Sequence, residues 1–394
     1  MMILTFSRLS SIVADWLMFG RSDELRRNAE DKPIVVFHYL RRISSLSLLL
    51  FLSAGCGAGY YNTITTQAAQ YRAYGDSITY GYTLSVPQTQ AYPALIASEN
   101  ALPFVDNAIS ADQACDVPKR QIFPNEDNPT LAKHPTYTLL IGTNDALFKG
   151  SGVYEAVYRL CHEAAISWFG VPAEYKVLAN GSGVTSTGSG AIDLSNHWNS
   201  WTTSGLGSTV SFAITTEGFG PIYAWPRIDD NNSGTYTYSM DGVVIGSATI
   251  QTTPRISTHN GTTNSLGFLR LPPVPAGSHV VTFKQTSAGS IGVSVVGIGT
   301  PTGPANNILP EVLVGTVPFH LQSPGDTCNT ADGPCAAYIQ DIKADVSLFS
   351  ADGLDVRLFD TRKYLLGTAA EMNDTLHPNV LGQIHLSASV EASR

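Results

Sequence analysis

The sequence predicts an α/β protein built on a parallel sheet and interrupted by an inserted all-β sandwich. Three observations carry this. First, Thr138 to Ile141 is a short apolar run that ends directly on Gly142-Thr143-Asn144-Asp145, the pattern of a buried parallel strand. Second, a helical stretch, "YEAVYRLCHEAAISWF", follows it. Third, from about Pro172 to Pro304 the composition turns to Gly, Ser, Thr and Val, and "STVSFAITT", "GTYTYSMDGVVIGSATI" and "SHVVTFKQTS" alternate with period two. Asp241-Gly242 between two such runs is a hairpin signal. Short strands separated by turn residues predict a sandwich. "NILPEVLVGTVPFH" then resumes an apolar strand ending in Pro318, as the parallel sheet requires. The expected organisation is an N-terminal extension and signal segment at 1–56, one discontinuous domain at 64–171 and 305–394, and the insert at 172–304.

Of the 394 residues, 43% are apolar and 14% charged, which describes a globular chain. The net charge of -9 argues against a nucleic-acid partner, which would favour a basic face. Near the N-terminus, Arg41-Arg42 precedes "ISSLSLLLFLSAGC", too short an apolar run to span a bilayer as a helix. Basic residues, a short apolar core and small residues are the grammar of a secretory signal. Its ending on Cys56 resembles a bacterial lipoprotein signal, with Cys56 as the lipidation candidate and a lipid anchor touching the membrane. Ser53 departs from that pattern, because Leu52 sits one place early. The charged stretch "RSDELRRNAEDK" does not suit a signal, so translation is expected to begin downstream of residue 40. The expected address is outside the cytoplasm: periplasmic, surface-tethered or secreted.

Without Cys56, four cysteines remain, an even number that suggests pairing in an exported chain. Cys328 and Cys335 bracket the turn-rich "NTADGP" and form the first expected disulfide. Cys115 with Cys161 follows by elimination. No CxxC pair or histidine cluster supports a zinc site instead.

The chemistry centres on "YRAYGDSITYGYTL", in which Ser77 follows Gly75-Asp76. A serine becomes a nucleophile only with a base to take its proton and donors to hold the oxyanion. The candidate base is His377 in "MNDTLHPNVLGQIHLSASV", three residues after Asp374. A turn of that length brings the carboxylate to one ring nitrogen and leaves the other for Ser77. Pro378 keeps the histidine out of a helix interior, and an amphipathic closing helix is expected from Asn379. Asn144, just beyond the strand end, is the candidate oxyanion donor, since ligands in doubly wound sheets sit beyond those ends.

Together these pieces resemble the SGNH hydrolases, also called the GDSL esterase and lipase family. Gly75-Asp76-Ser77 matches the first block, Gly142-Thr143-Asn144-Asp145 the third, and Asp374-Thr375-Leu376-His377 the last. The resemblance covers roughly residues 70 to 170 and 305 to 390. It implies a flavodoxin-like three-layer α/β/α fold, with Ser77 as nucleophile, His377 as base and Asp374 as its orienter. It further implies an oxyanion hole of Asn144 and the Ser77 and Ala111 N–H groups. In the second block, "VDNAISADQACDV", Asn107 and Ala108 align, but Ala111 stands where a glycine is usual. A positive φ there would cost alanine roughly 1 kcal/mol. The Gly-x-Ser-x-Gly elbow of the α/β-hydrolases is absent around Ser77.

Asp76 and Asp145 are expected to shape their own turns through local hydrogen bonds. His134, His162, His320 and His385 lack an acid beside a nucleophile and read as structural. Trp198, Trp201, Trp225 and Tyr223 of the insert suit a sandwich core better than sugar stacking. The expected function is an exported serine esterase removing acetyl or similar short acyl groups from a polysaccharide, through an acyl-enzyme and with no metal or organic cofactor. A lipase, lysophospholipase or thioesterase is the alternative within the fold. A silent glycan-binding lipoprotein is the alternative outside catalysis, hinted at by Ala111.

Overall fold

The computed structural model describes residues 70–394 apart from 127–134, 151, 194–198, 204, 232–233, 250–255, 257–259, 288–291, 304–307 and 322–326. The signal segment, Cys56, His134 and Trp198 lie outside the described residues.

Five strands pair in parallel, in the spatial order Val356–Phe359, Glu311–Gly315, Thr136–Leu140, Tyr71–Gly75, Phe104–Asp106. In chain order this reads 2-1-3-4-5 from the opposite edge, so the winding reverses between Tyr71–Gly75 and Thr136–Leu140. A crevice opens at such a reversal, at the carboxyl ends of the strands. Ser77 follows one of these two strands and Asn144 follows the other.

Helices cover both faces because the strands are apolar on both. Tyr71, Ala73, Leu140 and Leu313 pack against Tyr92 and Ile96 of helix Tyr92–Glu99 and Leu386 and Val390 of helix Val380–Glu391. Tyr74, Leu139, Val312 and Val314 turn the other way, onto Val157, Ala165 and Phe169 of Val153–Gly170 and Tyr338 and Ile342 of Pro334–Ala351. Each such large side chain contributes about 1.5–3 kcal/mol when fully buried.

Between the third and fourth parallel strands, the chain forms two antiparallel sheets. One runs Val243–Thr249, Thr235–Met240, Gly277–Gln285, Thr209–Thr216, Val184–Thr187; the other is built around Tyr223–Asp229 and Val293–Gly299. Val210, Phe212, Val281, Phe283, Val293 and Val295 fill the space between them. The period-two alternation is clear in Gly277–Gln285, where His279, Val281, Phe283 and Gln285 are buried and Ser278, Val280 and Lys284 are exposed. The Asp241-Gly242 turn has both φ values positive, 49° and 82°, as a two-residue primed hairpin turn needs.

The second sheet also packs outward, against the helices of the parallel sheet. Tyr223–Asp229 is buried along its whole length. Trp225 donates its indole N–H to Ser167 Oγ at 2.9 Å and meets Trp168 edge-on, while Tyr223 donates to Asp352 at 2.8 Å. Trp201 lies in the sandwich core. All three are buried; Trp201 takes the sandwich-core role expected for it, whereas Tyr223 and Trp225 fill the core between the second sheet and the helices of the parallel sheet instead.

Both expected cysteine pairs are bonded, Cys115–Cys161 and Cys328–Cys335. The first closes a span of 46 residues and the second a span of 7. On the chain-entropy model these loops contribute about 4 and about 2.5 kcal/mol. Replacing Cys115 and Cys161 by alanine should therefore lower the urea-denaturation free energy more than replacing Cys328 and Cys335, by roughly 1.5 kcal/mol. The opposite ranking would contradict the loop-length account.

Candidate active site

The nucleophile candidate sits on a turn that only glycine permits. A Cβ on Gly75 would come 2.3 Å from Thr79 Oγ1 and 2.4 Å from the Leu140 carbonyl. Asp76 then caps the short helix Ser77–Tyr80, accepting the Ile78 N–H at 2.9 Å, which places Ser77 in the first helical position. At the far end of the chain, Met372 and Pro378 bridge antiparallel and the Asn373 N–H bonds the His377 carbonyl at 2.8 Å, closing a tight loop. Inside it, Asp374 Oδ1 accepts the N–H groups of Leu376 and His377 at 2.8 and 2.7 Å. Its Oδ2 lies 2.8 Å from His377 Nδ1, and His377 Nε2 lies 3.0 Å from Ser77 Oγ. Partial burial pushes the Asp374 carboxyl up, but its hydrogen bonds to the His377 backbone and ring and to Leu376 outweigh this and hold it below the usual carboxylate range. The carboxylate therefore stays charged, which favours the tautomer with the proton on Nδ1 and Nε2 toward the hydroxyl.

Gly142, at φ 126°, lets the chain leave Thr136–Leu140 and enter helix Thr143–Lys149 at once, so Asn144 falls in the first turn. The Asn144 amide donates to the Asp112 carbonyl at 2.9 Å, which spends one N–H and leaves the second for a ligand. Ala111 does adopt a positive φ, 66°. The left-handed backbone costs alanine about 1–2 kcal/mol. Neither the Ser77 N–H nor the Ala111 N–H has a partner among the described residues.

Several positions that no local pattern marks hold these pieces together. Gln121, in the π-helical segment Val117–Ile122, clasps both the N–H and the carbonyl of Gly75, at 3.0 and 2.8 Å, and also donates to Asp112 Oδ2 at 2.8 Å. Asp112 is the hub: besides Gln121 and the Asn144 amide, it takes Arg120 and, at 2.9 Å, Asn260 of the insert. Asn260 also donates to the Ala111 carbonyl at 3.2 Å. Ser265 of the insert reaches the Cys115 carbonyl at 2.7 Å. The insert thus braces the Ala111–Cys115 loop directly.

One expectation needs extending and one correcting. Besides a hydrogen bond to its own backbone, Asp145 accepts the Ala114 N–H at its Oδ2, at 3.0 Å, tying the Asn144 helix to the Ala111 loop. The closing helix Val380–Glu391 is not cleanly amphipathic, since Val380, Leu381 and Ile384 are exposed while Gln383, Ser387 and Ser389 are buried. The reason is polar. Gln383 accepts the Tyr92 N–H at 2.9 Å and donates to the Ile78 carbonyl at 3.0 Å, so it docks the helix onto the Ser77 turn.

The other histidines take structural partners. His162 bonds Asp345 at 2.8 Å and His385 bonds Glu371 at 2.6 Å, neither beside a nucleophile. His320 is buried near Cys328 and Cys335, but both sulfurs are committed to their disulfide and are lost as metal donors.

No protein-family model matches the chain, and no curated protein does. Among solved structures it is similar to a two-domain esterase active on acetylated mannans, co-crystallised with mannopentaose, at 11% identity and TM-score 0.32, over 61% of this chain and 93% of that one. It is also similar to a family 35 carbohydrate-binding module from an environmental isolate, at 14% identity and TM-score 0.25, over 34% and 99%. A third is the carbohydrate-binding module CBM36 in complex with calcium and xylotriose, at 14% and 0.23, over 31% and 95%. Likeness at this level says nothing of what this chain does.

Two buried carboxyls frame the site. Burial, aided by repulsion from Asp145, pushes Asp76 up to about 7, and its Oδ2 has no partner among the described residues. Burial likewise pushes Asp145 up to about 7. Both folded-state values exceed the ordinary unfolded value of about 3.9. Their stabilising contribution is therefore complete below about pH 4 and is lost as pH rises towards 7. Urea denaturation should show a less stable protein at pH 8 than at pH 5, and Asp76→Asn should flatten that decline. An identical decline in the variant would contradict the assignment.

Proposed function

We propose that this chain is an exported serine esterase of the SGNH type acting on carbohydrate esters of short acyl groups, above all acetyl. In this reading, residues 64–171 and 305–394 form a flavodoxin-like α/β/α hydrolase domain and 172–304 a β-sandwich insert. One observation carries it: the relay of two hydrogen bonds, 2.8 Å between Asp374 and His377 and 3.0 Å between His377 and Ser77.

The chemistry proceeds in two halves. His377 Nε2 takes the Ser77 proton as Oγ bonds to the ester carbonyl carbon, and Asp374 stabilises the imidazolium. The oxyanion takes hydrogen bonds from the second Asn144 N–H and from the backbone N–H groups of Ser77 and Ala111. Each such donor contributes roughly 10²–10³ in turnover. His377 then protonates the departing alcohol as its C–O bond breaks. Water, deprotonated by His377, repeats the attack on the acyl-enzyme and releases the acid and free Ser77.

The carbohydrate assignment rests on the signal grammar around "ISSLSLLLFLSAGC", on the sandwich, and on two disulfides that suit an oxidising compartment. Among the described residues, no helix is long and apolar enough to cross a membrane; contact with a bilayer would come through a lipid on Cys56. A lipase, lysophospholipase or thioesterase is the second reading, favoured by the exposed Leu366, Val380, Leu381 and Ile384 flanking the base loop in sequence.

A fluorophosphonate probe and an ester panel test the proposal together. The wild type should take the label and release acetate from acetylated xylan and aryl acetates. Ser77→Ala should lose the label and about 10⁴-fold or more of the turnover. Long-chain lipid turnover without acetate release would select the second reading. Labelling that persists in Ser77→Ala would remove the nucleophile, and a wild type that never labels would leave a glycan-binding protein.

A further inference from the structure

Beside the base stands an aromatic ring that the fold has no structural need to place there. Tyr82 is 52% exposed, and its ring centroid lies 4.9 Å from that of His377. Its hydroxyl has no hydrogen-bond partner among the described residues. The backbone around it is nonetheless tightly specified. Gly81 ends the Ser77–Tyr80 helix in the left-handed conformation, at φ 78°, and the Tyr82 N–H bonds the carbonyl of Ser77 itself at 2.9 Å. Thr83 follows at φ 75°, a conformation that β-branched residues rarely adopt and that clusters at functional sites.

What holds Thr83 there is the loop that carries the base. Asn373 Nδ2 donates to Thr83 Oγ1 at 2.9 Å and approaches its carbonyl at 3.3 Å, while the Asn373 N–H bonds the His377 carbonyl. Tyr82 is therefore fixed at both ends: its own N–H to the nucleophile residue, and the next residue to the base loop. These anchors set where the Tyr82 backbone stands relative to His377, and from there the half-exposed ring reaches the imidazole.

That place is chemically specific. His377 Nε2 is the atom that returns a proton to the departing alcohol, so this side of the cleft receives the leaving group. An exposed aromatic face binds flat, C–H-rich faces and offers little to a small acyclic chain. We infer that Tyr82 is the platform on which the alcohol half of the ester stacks, and that it selects cyclic, pyranose-type leaving groups over small acyclic ones. This rests on the carbohydrate-esterase reading and deepens it.

Two acetates with a common acyl group isolate the alcohol side: an acetylated methyl hexopyranoside and ethyl acetate. Tyr82→Ala should lose about tenfold in kcat/KM on the pyranoside, chiefly through KM, and less than twofold on ethyl acetate; Tyr82→Phe should keep both activities. Equal losses on the two esters would make Tyr82 a positioning residue for His377 and overturn the platform. So would no loss on either ester in Tyr82→Ala while the wild type turns the pyranoside over. A wild type that cleaves ethyl acetate but not the pyranoside acetate defeats the carbohydrate reading, and the platform with it. A wild type silent on both does the same.

Discussion

A single 3.0 Å contact, between an imidazole and a hydroxyl separated by 300 positions in the chain, is the constraint around which this protein is organised. Neither partner can be placed well by its own neighbourhood. Ser77 depends on a strand end where a side chain on Gly75 would collide with the Leu140 backbone. His377 depends on a loop closed by its own carboxylate partner. The two are brought to hydrogen-bonding distance by Gln383 and Asn373, which link the C-terminal segment to Ile78 and Thr83, in the helix and turn that follow the serine. A change at either link would be felt as misalignment before it was felt as loss of a charge, and alignment of reacting groups is worth orders of magnitude in rate.

The Asn144 and Ala111 side of the site is assembled differently, from a network with Asp112 at its centre. Through Gln121 it meets the first strand, through the Asn144 amide it meets the third, and through Asn260 it meets the β insert. Ala111 sits on this network in a conformation that glycine would adopt freely. The strain is local and modest, and the surrounding hydrogen bonds over-determine the loop that bears it. The insert is accordingly more than an appendage. It shares an apolar core with the long helix Val153–Gly170 and supplies polar contacts to the Ala111 loop.

The contiguous motifs made much of this legible from sequence. Gly75-Asp76-Ser77, Asp374 with His377, and Asn144 after an apolar strand each carry their geometry within a few residues. The Asp241-Gly242 hairpin and the Cys328–Cys335 loop were readable for the same reason, whereas Cys115–Cys161 followed only from the even number of cysteines left. What escaped depends on distance. Gln121, Asp112, Asn260, Asn373 and Gln383 are unremarkable polar residues in their own stretches; their roles arise only once remote segments pack. The closing helix shows the same thing in reverse. Its exposed Val380 and Leu381 and buried Gln383 defy an amphipathic pattern because a buried hydrogen-bond pair, not apolar area alone, docks it. The second partner of Asp145, Ala114, was not legible because it lies 31 residues earlier.

The most direct test is a crystal structure of the fluorophosphonate adduct. The phosphorus is expected on Ser77 Oγ, with the phosphoryl oxygen within hydrogen-bond reach of Asn144 Nδ2 and of the Ser77 and Ala111 N–H groups, and His377 still bonded to Asp374. An adduct on another residue, or a phosphoryl oxygen turned to solvent away from those donors, would contradict this arrangement.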